Sequence, residues 1–284
     1  MFSERDFEHY LAKKYMRTEI MPHAFCPGCG LGIIERMILM AFEELGEEEW
    51  KRTAFVSGIG CSGWVPLYFR RDAAHTLHGR ALAFATALKL SKPDLNVVVV
   101  MGDGDSMGIG GNHLIHAARR NVDLTAIIAT NMLYSLTGGQ MSPTTPQGAR
   151  TNTTPYGNIE PNFDLMKLLE AAGATYLARW TTYHFVQAKN SIKKAIKHKG
   201  FAAIEIVFQC PTYAGRYILG KPDPRDMMDW FKEVSVPLGK AKTMSPEELQ
   251  GKIVVGEFLH RTDRPEYTEQ VYKIIEKAQK REGR

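Results

Sequence analysis

A run of four valines, Val97–Val100, constrains the fold of this chain more than any other feature. A strand with one face in water alternates apolar and polar residues, whereas this run has no polar position, so both of its faces must be covered. Strands of this kind lie in the middle of parallel sheets that have helices on either side. The run therefore predicts an α/β fold.

The valine run is one of several short apolar segments that are rich in β-branched residues and separated by stretches with helical periodicity. These segments cover residues 53–57, 96–101, 124–129, 175–178 and 203–208. Their alternation with helices predicts a mostly parallel sheet flanked by helices on both faces. A helix is also predicted from about Ile33 to Leu45, where Gly46 is placed to end it.

The periodicity weakens beyond about residue 217, where prolines interrupt the chain before an amphipathic helix near residues 266–279. We therefore predict one cofactor-binding domain over residues 1–216 and a C-terminal extension over residues 217–284. Residues 137–162 are rich in Gly, Thr, Pro, Ser and Asn and have no apolar period. So long a segment inside a compact domain predicts a functional loop or lid.

Charge and hydropathy exclude several classes of function. The net charge of +5 comes from 36 basic and 31 acidic residues, and no long basic block occurs outside the last few residues, so nucleic-acid binding is not indicated. No apolar run approaches the roughly 18 residues that a membrane helix needs, and residues 1–10 are charged where a signal peptide is apolar. We expect a cytoplasmic protein.

The residues Gly102-Asp103-Gly104-Asp105 follow the valine strand directly. Ligands of open α/β sheets bind beyond the carboxyl ends of strands, and glycines let the backbone approach a phosphate closely. The next predicted strand ends at Asn131, so Asp103 and Asn131 are expected at the tips of adjacent strands. With the carbonyl of Leu133, they offer the hard oxygen ligands of a Mg²⁺ ion that is shared with a diphosphate.

The four cysteines, Cys26, Cys29, Cys61 and Cys210, lie in predicted loops at element boundaries. Two ligands from one tight turn and two from distant loops suit either a tetrahedral zinc ion or a 4Fe-4S cluster, and spacing alone does not separate the two. A thioredoxin-like dithiol is disfavoured because no strand signal precedes Cys26 and two further cysteines would be unexplained.

Together these features resemble the beta subunits of 2-oxoacid:ferredoxin oxidoreductases. The Gly-Asp-Gly turn and the Asn roughly 28 residues later resemble the thiamine diphosphate signature, and the match spans residues 22–216. Its most specific segments are His23–Gly30, Ser57–Trp64, His75–Ala81, Gly110–His113 and Leu136–Gln140. Two positions depart from the pattern: Thr130 stands where the signature usually has Asn, and Ser135 where glycine is usual.

The resemblance implies a thiamine-diphosphate-binding fold and a set of cofactor contacts. Asp103, Asn131 and the Leu133 carbonyl would hold Mg²⁺, and the four cysteines would ligate a 4Fe-4S cluster close to the thiamine. His78 is a candidate hydrogen-bond donor to the diphosphate. The other residues expected at the cofactor are Gly60, Ser62, Gly102, Gly104, Asp105 and Thr137. His113 and His116 have metal-ligand spacing but no third ligand, and we interpret them as structural.

The implied reaction uses both cofactors. The thiazolium acts as an electron sink while carbon dioxide leaves a 2-oxoacid, and a nearby cluster removes electrons singly and passes them to ferredoxin, while coenzyme A takes the acyl group. The Cys61–Trp64 segment and the loop after Thr137 resemble the 2-oxoglutarate type, which forms succinyl-CoA reversibly. The carboxylate that activates thiamine is not found here and is implied on an alpha subunit, so this chain would be inactive alone and work as a heterodimer or a dimer of heterodimers.

The sequence is also compatible with three alternatives. The substrate could be pyruvate or a branched-chain 2-oxoacid. The chain could instead belong to a non-oxidative thiamine enzyme, or be a zinc-stabilised binding module that has kept the fold.

Overall fold

The computed structural model describes residues 10–282, so the charged start used in the sequence argument lies almost entirely outside the described range. Its strands are β1 (Thr53–Ser57), β2 (Asp72–His75), β3 (Asn96–Gly102), β4 (Leu124–Thr130), β5 (Leu133–Tyr134), β6 (Gln140–Met141), β7 (Tyr176–Thr181), β8 (Phe201–Val207), β9 (Ser235–Pro237) and β10 (Ile253–His260). β5 and β6 form a separate antiparallel pair. The other eight form one sheet in the order β2-β1-β3-β4-β8-β7-β10-β9.

The helices are α1 (Tyr10–Tyr15), α2 (Leu31–Leu45), α3 (Glu47–Lys51), α4 (Ala81–Ser91), α5 (Gly111–Arg120), α6 (Leu165–Ala172), α7 (Phe185–Lys197), α8 (Pro224–Val234), α9 (Leu238–Ala241), α10 (Pro246–Leu249) and α11 (Tyr267–Glu282). Short 3-10 helices cover Thr18–Ile20 and Cys61–Tyr68, and π-helical turns cover Gly104–Ile109 and Pro211–Ile218. Within residues 10–282, no helix is both long enough and apolar enough to cross a membrane.

The valine strand lies between two hydrophobic layers. Val98 and Val100 pack into one layer with residues of α2 and α7, and Val97 and Val99 pack into the other with residues of α4 and α5. None of the four valines is more than 2% exposed. The prediction of a central strand covered on both faces is confirmed.

The predicted strands and the helix after the first cysteine pair are confirmed, with bounds that differ by a few residues. The sequence analysis did not predict β2, because this strand is short and its residues are mostly exposed. It therefore has no run of apolar residues that would indicate a strand. β10 was missed because its register shifts between Glu257 and Leu259, which breaks the alternation. β10 pairs antiparallel with β7 and parallel with β9, so the chain after residue 217 adds two strands to the main sheet. The domain boundary at residue 216 stays a prediction.

The parallel strands position the site. β1, β3, β4 and β8 are adjacent and parallel, so their carboxyl ends meet at one edge of the sheet. The segments that follow these strands carry Cys61, Asp103, Asn131 and Cys210 respectively. The four loops that carry these residues therefore lie at the same edge of the sheet, although they are far apart in the chain.

Candidate cofactor site

The loops at this edge enclose a cavity of about 130 Å³. It is lined by all of the residues predicted to contact a cofactor: Gly60, Ser62, His78, Gly102, Asp103, Gly104, Asp105, Asn131, Leu133 and Thr137. Tyr134, Ser135 and Phe208 complete the walls, together with neighbouring loop residues. The structure thus brings the predicted set together at a single place.

Asp103 is buried and receives hydrogen bonds from the long loop. Ser142 Oγ donates to Asp103 Oδ2 over 2.9 Å, and Thr144 Oγ1 donates to the same oxygen. Burial raises the pKa of Asp103 to about 6, against the lowering effect of these hydroxyls. The carboxylate therefore lies in a site that favours a compensating cation.

The segment after Thr137 was predicted as a functional loop, but the sequence did not indicate which residues would reach Asp103. Ser142 lies 39 residues after Asp103 in the chain, and Thr144 lies 41 residues after it. Only the family resemblance drew attention to the Ser-Pro-Thr-Thr segment at 142–145. Its composition alone does not indicate a contact with Asp103, because hydroxyl residues are common in loops of every kind.

Asp105 joins two other loops at the cavity. Its Oδ1 accepts hydrogen bonds from the backbone N–H groups of Gly79, at 2.6 Å, and Ile59, at 3.3 Å. Its Oδ2 is buried without a hydrogen-bond partner among the described residues. A Cβ atom on Gly58 would overlap this carboxylate, so only glycine fits there. Burial raises the pKa of Asp105 to about 6.

The turn after β4 presents Asn131 and Leu133 to the cavity. Met132 between them has a left-handed backbone with φ of 69°, and its carbonyl accepts a hydrogen bond of 2.5 Å from Thr145 Oγ1. Tyr134 donates to the carbonyl of Gly104 over 3.1 Å, and its ring lies where a side chain on Gly104 would be. The second glycine of the Gly-Asp-Gly turn is therefore required by close packing.

Thr130, which replaces the usual Asn, has a partner elsewhere. Its Oγ1 donates to Glu205 Oε1 over 2.9 Å, and Glu205 Oε2 forms an ion pair of 2.6 Å with Arg179 Nε. Both charged side chains are largely buried. Thr130 thus hydrogen-bonds a buried ion pair between strands and does not line the cavity of about 130 Å³.

His78 and Thr137 lie at the cavity wall. His78 Nε2 is 3.6 Å from Asp105 Oδ1, and burial, with the charge of Arg80, lowers the pKa of this histidine. The imidazole is therefore neutral near pH 7 and has one N–H to donate. Thr137 Oγ1 already donates to Gln140 Oε1 over 2.7 Å, so its hydroxyl has acceptor capacity left.

The four cysteines line a second cavity of about 250 Å³. Cys61, Asn131, Ser135, Leu136 and Phe208 line both cavities, which are therefore adjacent. All four thiols are free of disulfides. The loop of Cys29 is tied to that of Cys210 by a backbone hydrogen bond of 2.9 Å from Gly30 N–H to the Gln209 carbonyl.

Burial raises the pKa of Cys29 to about 12 and that of Cys61 to about 11. The neighbouring cysteines add to both shifts, because adjacent thiolates repel one another. Among residues 10–282, no three His, Cys, Asp or Glu side chains gather around one point in a way that could hold a single metal ion. The thiols instead lie on the walls of a cavity several times the roughly 30 Å³ that one water occupies in the liquid. His113 and His116 lie outside both cavities.

Known proteins share this fold and much of this sequence. Residues 58–206 match the family model described as thiamine pyrophosphate enzyme, C-terminal TPP binding domain. The chain is 56% identical over 266 residues to the 2-oxoglutarate synthase subunit KorB of Methanocaldococcus jannaschii, covering 94% of this chain and 97% of that protein. It is 48% identical over 191 residues to the 2-oxoacid:ferredoxin oxidoreductase subunit beta of Saccharolobus solfataricus, covering 66% of this chain and 62% of that one.

A solved structure is also similar over most of its length. It is the 2-oxoglutarate:ferredoxin oxidoreductase from Magnetococcus marinus with 2-oxoglutarate, coenzyme A and succinyl-CoA bound. The TM-score is 0.83 at 35% identity, with 95% of this chain and 91% of that chain covered. The similarity extends beyond the family model into the C-terminal strands.

Proposed function

The chain belongs to the family of 2-oxoacid:ferredoxin oxidoreductase beta subunits that includes the 2-oxoglutarate synthase KorB subunits, and from this premise we propose how it works. It is the beta subunit of a 2-oxoglutarate:ferredoxin oxidoreductase, which catalyses the reversible, coenzyme A-dependent oxidative decarboxylation of 2-oxoglutarate to succinyl-CoA. One observation carries the proposal. A cavity lined by Asp103 and Asn131 shares a wall with a cavity lined by four thiols.

The first cavity would hold the diphosphate of thiamine diphosphate and its Mg²⁺. The fit rests on a buried carboxylate at Asp103, an amide at Asn131 and the Leu133 carbonyl, which are the oxygen types that Mg²⁺ prefers. The two loop hydroxyls both donate to Asp103 Oδ2, so neither of them occupies Oδ1. When bound, the cofactor supplies the electron sink for decarboxylation.

The chain's own residues shape this cavity. Asp105 draws the amides of Ile59 and Gly79 together, which places Gly60, Ser62 and His78 on one side of the cavity. The neutral His78 has an N–H that can donate to a phosphate oxygen. Phe208 is buried and forms part of the wall of both cavities, so an apolar ring lies between the first cavity and the thiols.

The second cavity would hold a 4Fe-4S cluster ligated by Cys26, Cys29, Cys61 and Cys210. Four thiols on the walls of one cavity fit a group that takes one thiolate at each of four corners. Because burial raises the pKa of Cys29 and Cys61, binding of the cluster by these two thiols must release protons and should tighten as pH rises. Electrons from the substrate would pass through this cluster to ferredoxin. Free thiol ligands suit the reducing cytoplasm, where we place the enzyme.

An alpha subunit is proposed to complete the site. Asp103 and Asp105 are the carboxylates among the described lining residues of the first cavity; Asp103 accepts hydrogen bonds from Ser142 and Thr144, and Asp105 Oδ1 accepts them from the amides of Gly79 and Ile59. We propose that the activating carboxylate comes from another chain, as the resemblance to this family implies. Leu77 is 75% exposed, Ile109 52% and Leu136 45%, and these apolar side chains lie on the cavity wall or on segments beside it. A partner that covers the cavity would bury them.

The test is anaerobic purification of the chain with its co-purifying partner, followed by measurement of iron, acid-labile sulfide and the visible spectrum. About four irons per chain and bleaching on addition of 2-oxoglutarate with coenzyme A are expected. Bleaching by pyruvate alone would keep the family but change the substrate. Zinc without iron, with no binding of thiamine diphosphate, would refute the redox reaction and favour a structural module. Thiamine diphosphate bound without iron would favour a non-oxidative thiamine enzyme.

A further inference from the structure

Ser135 lies on the wall that the two cavities share. Its Oγ is 3.3 Å from the sulfur of Cys210, and it accepts a hydrogen bond of 2.6 Å from Asn131 Nδ2. One hydroxyl therefore touches a residue proposed for the magnesium site and a residue proposed for the cluster. No other contact recorded among the described residues joins the two sets of ligands in this way.

The geometry points to Ser135 as a residue that raises the reduction potential of the cluster by donating a hydrogen bond to the Cys210 sulfur. This inference rests on the proposed function, because it requires a cluster in the second cavity. Ser135 acts through Cys210 and Asn131 and is a positioning residue, since no contact with substrate is implied.

The direction of the hydrogen bond follows from the partners of the hydroxyl. A serine hydroxyl has one proton and two lone pairs, and here one lone pair is used by Asn131 Nδ2. Its proton is thus free to point at Cys210. A cysteine that ligates a metal is a thiolate without a proton, so Ser135 has to be the donor in the loaded protein.

Asn131 fits the same arrangement. Its amide nitrogen is engaged by Ser135, which turns its amide oxygen away from the serine. The oxygen is the atom that Mg²⁺ requires. Ser135 therefore also fixes which end of the Asn131 amide serves the metal.

The sign of the effect on the potential follows from charge. Reduction adds an electron to the cluster and increases the negative charge on its sulfur ligands. A hydrogen bond to one of these sulfurs is stronger in the reduced state, so it favours reduction. The hydrogen bond between Ser135 and Cys210 is partly buried, so water screens it little. Loss of the hydroxyl should accordingly lower the potential.

The experiment is a potentiometric titration of the anaerobic holoenzyme, followed by the electron paramagnetic resonance signal of the reduced cluster. We expect Ser135→Ala and Ser135→Gly to lower the ratio of reduced to oxidised cluster at a fixed potential by about threefold to tenfold, the latter equal to 59 mV for one electron. Ser135→Thr keeps the hydroxyl and should restore the ratio. Thr212→Ala removes a hydroxyl from the same cavity wall that, among the contacts of residues 10–282, does not hydrogen-bond a sulfur atom, and this change should leave the ratio unchanged.

Each possible result tests either the proposed function or the role of Ser135. Absence of iron from the wild-type holoenzyme would refute the proposed function itself. A loaded cluster whose potential is the same in wild type, Ser135→Ala and Ser135→Gly would overturn the role of Ser135 and leave the proposed function standing. An equal shift in Thr212→Ala would also overturn it, because general polarity of the cavity would then explain the effect. Should Ser135→Ala fail to load, Ser135→Gly provides the comparison.

Discussion

Glu35 on α2 is a buried acid whose protonated form the folded state favours. It is 3% exposed, and its Oε1 has no hydrogen-bond partner among the described residues. Burial raises its pKa well above the ordinary value of 4.5. We predict that Glu35→Gln, which resembles the protonated acid in size and polarity, stabilises the protein at neutral pH.

The magnitude follows from linkage between protonation and folding. At pH values below the pKa that Glu35 has in the unfolded chain, this residue is protonated in both the folded and the unfolded state. Its burial then does not make the stability of the wild-type protein depend on pH. As pH rises toward the folded pKa, the unfolded state releases the proton and the folded state does not, so wild type loses about 1.4 kcal/mol of stability per pH unit. Glutamine does not titrate. The difference in the free energy of unfolding between the two proteins should therefore grow with pH from about 4.5 upward.

Urea denaturation of the cofactor-free chain at pH 5, 6, 7 and 8 measures this difference. Glu170→Gln is the matched control, because Glu170 is exposed on α6 and its replacement removes a carboxyl group that folding leaves in water. Parallel stability curves for wild type and Glu35→Gln over this range would refute the reasoning. They would mean that the carboxylate is ionised in the folded protein and has a partner that compensates its charge.

Three further predictions follow from the two cavities. Thr144→Val removes a donor to the buried Asp103 carboxylate and should lower the free energy of unfolding of the cofactor-free chain by about 1.5–3 kcal/mol, measured by urea denaturation at pH 8. Gly58→Ala places a Cβ against Asp105 and should cost about 1–3 kcal/mol and weaken thiamine diphosphate binding, measured calorimetrically, whereas Gly239→Ala, in open space within α9, should neither destabilise the protein nor weaken that binding. Cys61→Ser should reduce the iron bound per chain after anaerobic reconstitution, measured by iron analysis, while thiamine diphosphate binding with Mg²⁺ persists.

The central sheet was predictable because its strands carry a local signal. Val97–Val100 has to be covered on both faces whatever surrounds it, so periodicity alone decides its place. The later strand β10 carries a glycine at 256 with φ of 148° and a register shift beyond it, which erases the period-two pattern. Its pairing with β7 depends on contacts with a strand some 80 residues earlier, and no local rule contains that information.

The residues of the first cavity were predictable for a topological reason. Adjacent parallel strands end at one edge, so Asp103 and Asn131 had to be neighbours once β3 and β4 were assigned. The hydroxyls of Ser142 and Thr144 were not predictable in the same way. They reach Asp103 because the long loop folds back, and the path of a loop depends on tertiary contacts such as the hydrogen bond from Asn158 Nδ2 to the Thr145 carbonyl.

The wall that the two cavities share links the proposed thiamine site to the proposed cluster site. Gly60 and Ser62 line the first cavity, and Cys61 between them lines both. The amide of Ile59, at the start of the same loop, is held by Asp105. A side chain at the proposed thiamine site therefore helps to fix the backbone that presents Cys61, a proposed cluster ligand. Because Ser135 adds a second link through Cys210, an empty first cavity should leave two of the four thiols less well placed. Assembly of the two cofactors is then expected to be cooperative, so that thiamine diphosphate with Mg²⁺ slows loss of iron to a chelator in wild type and does so less in Ser135→Ala.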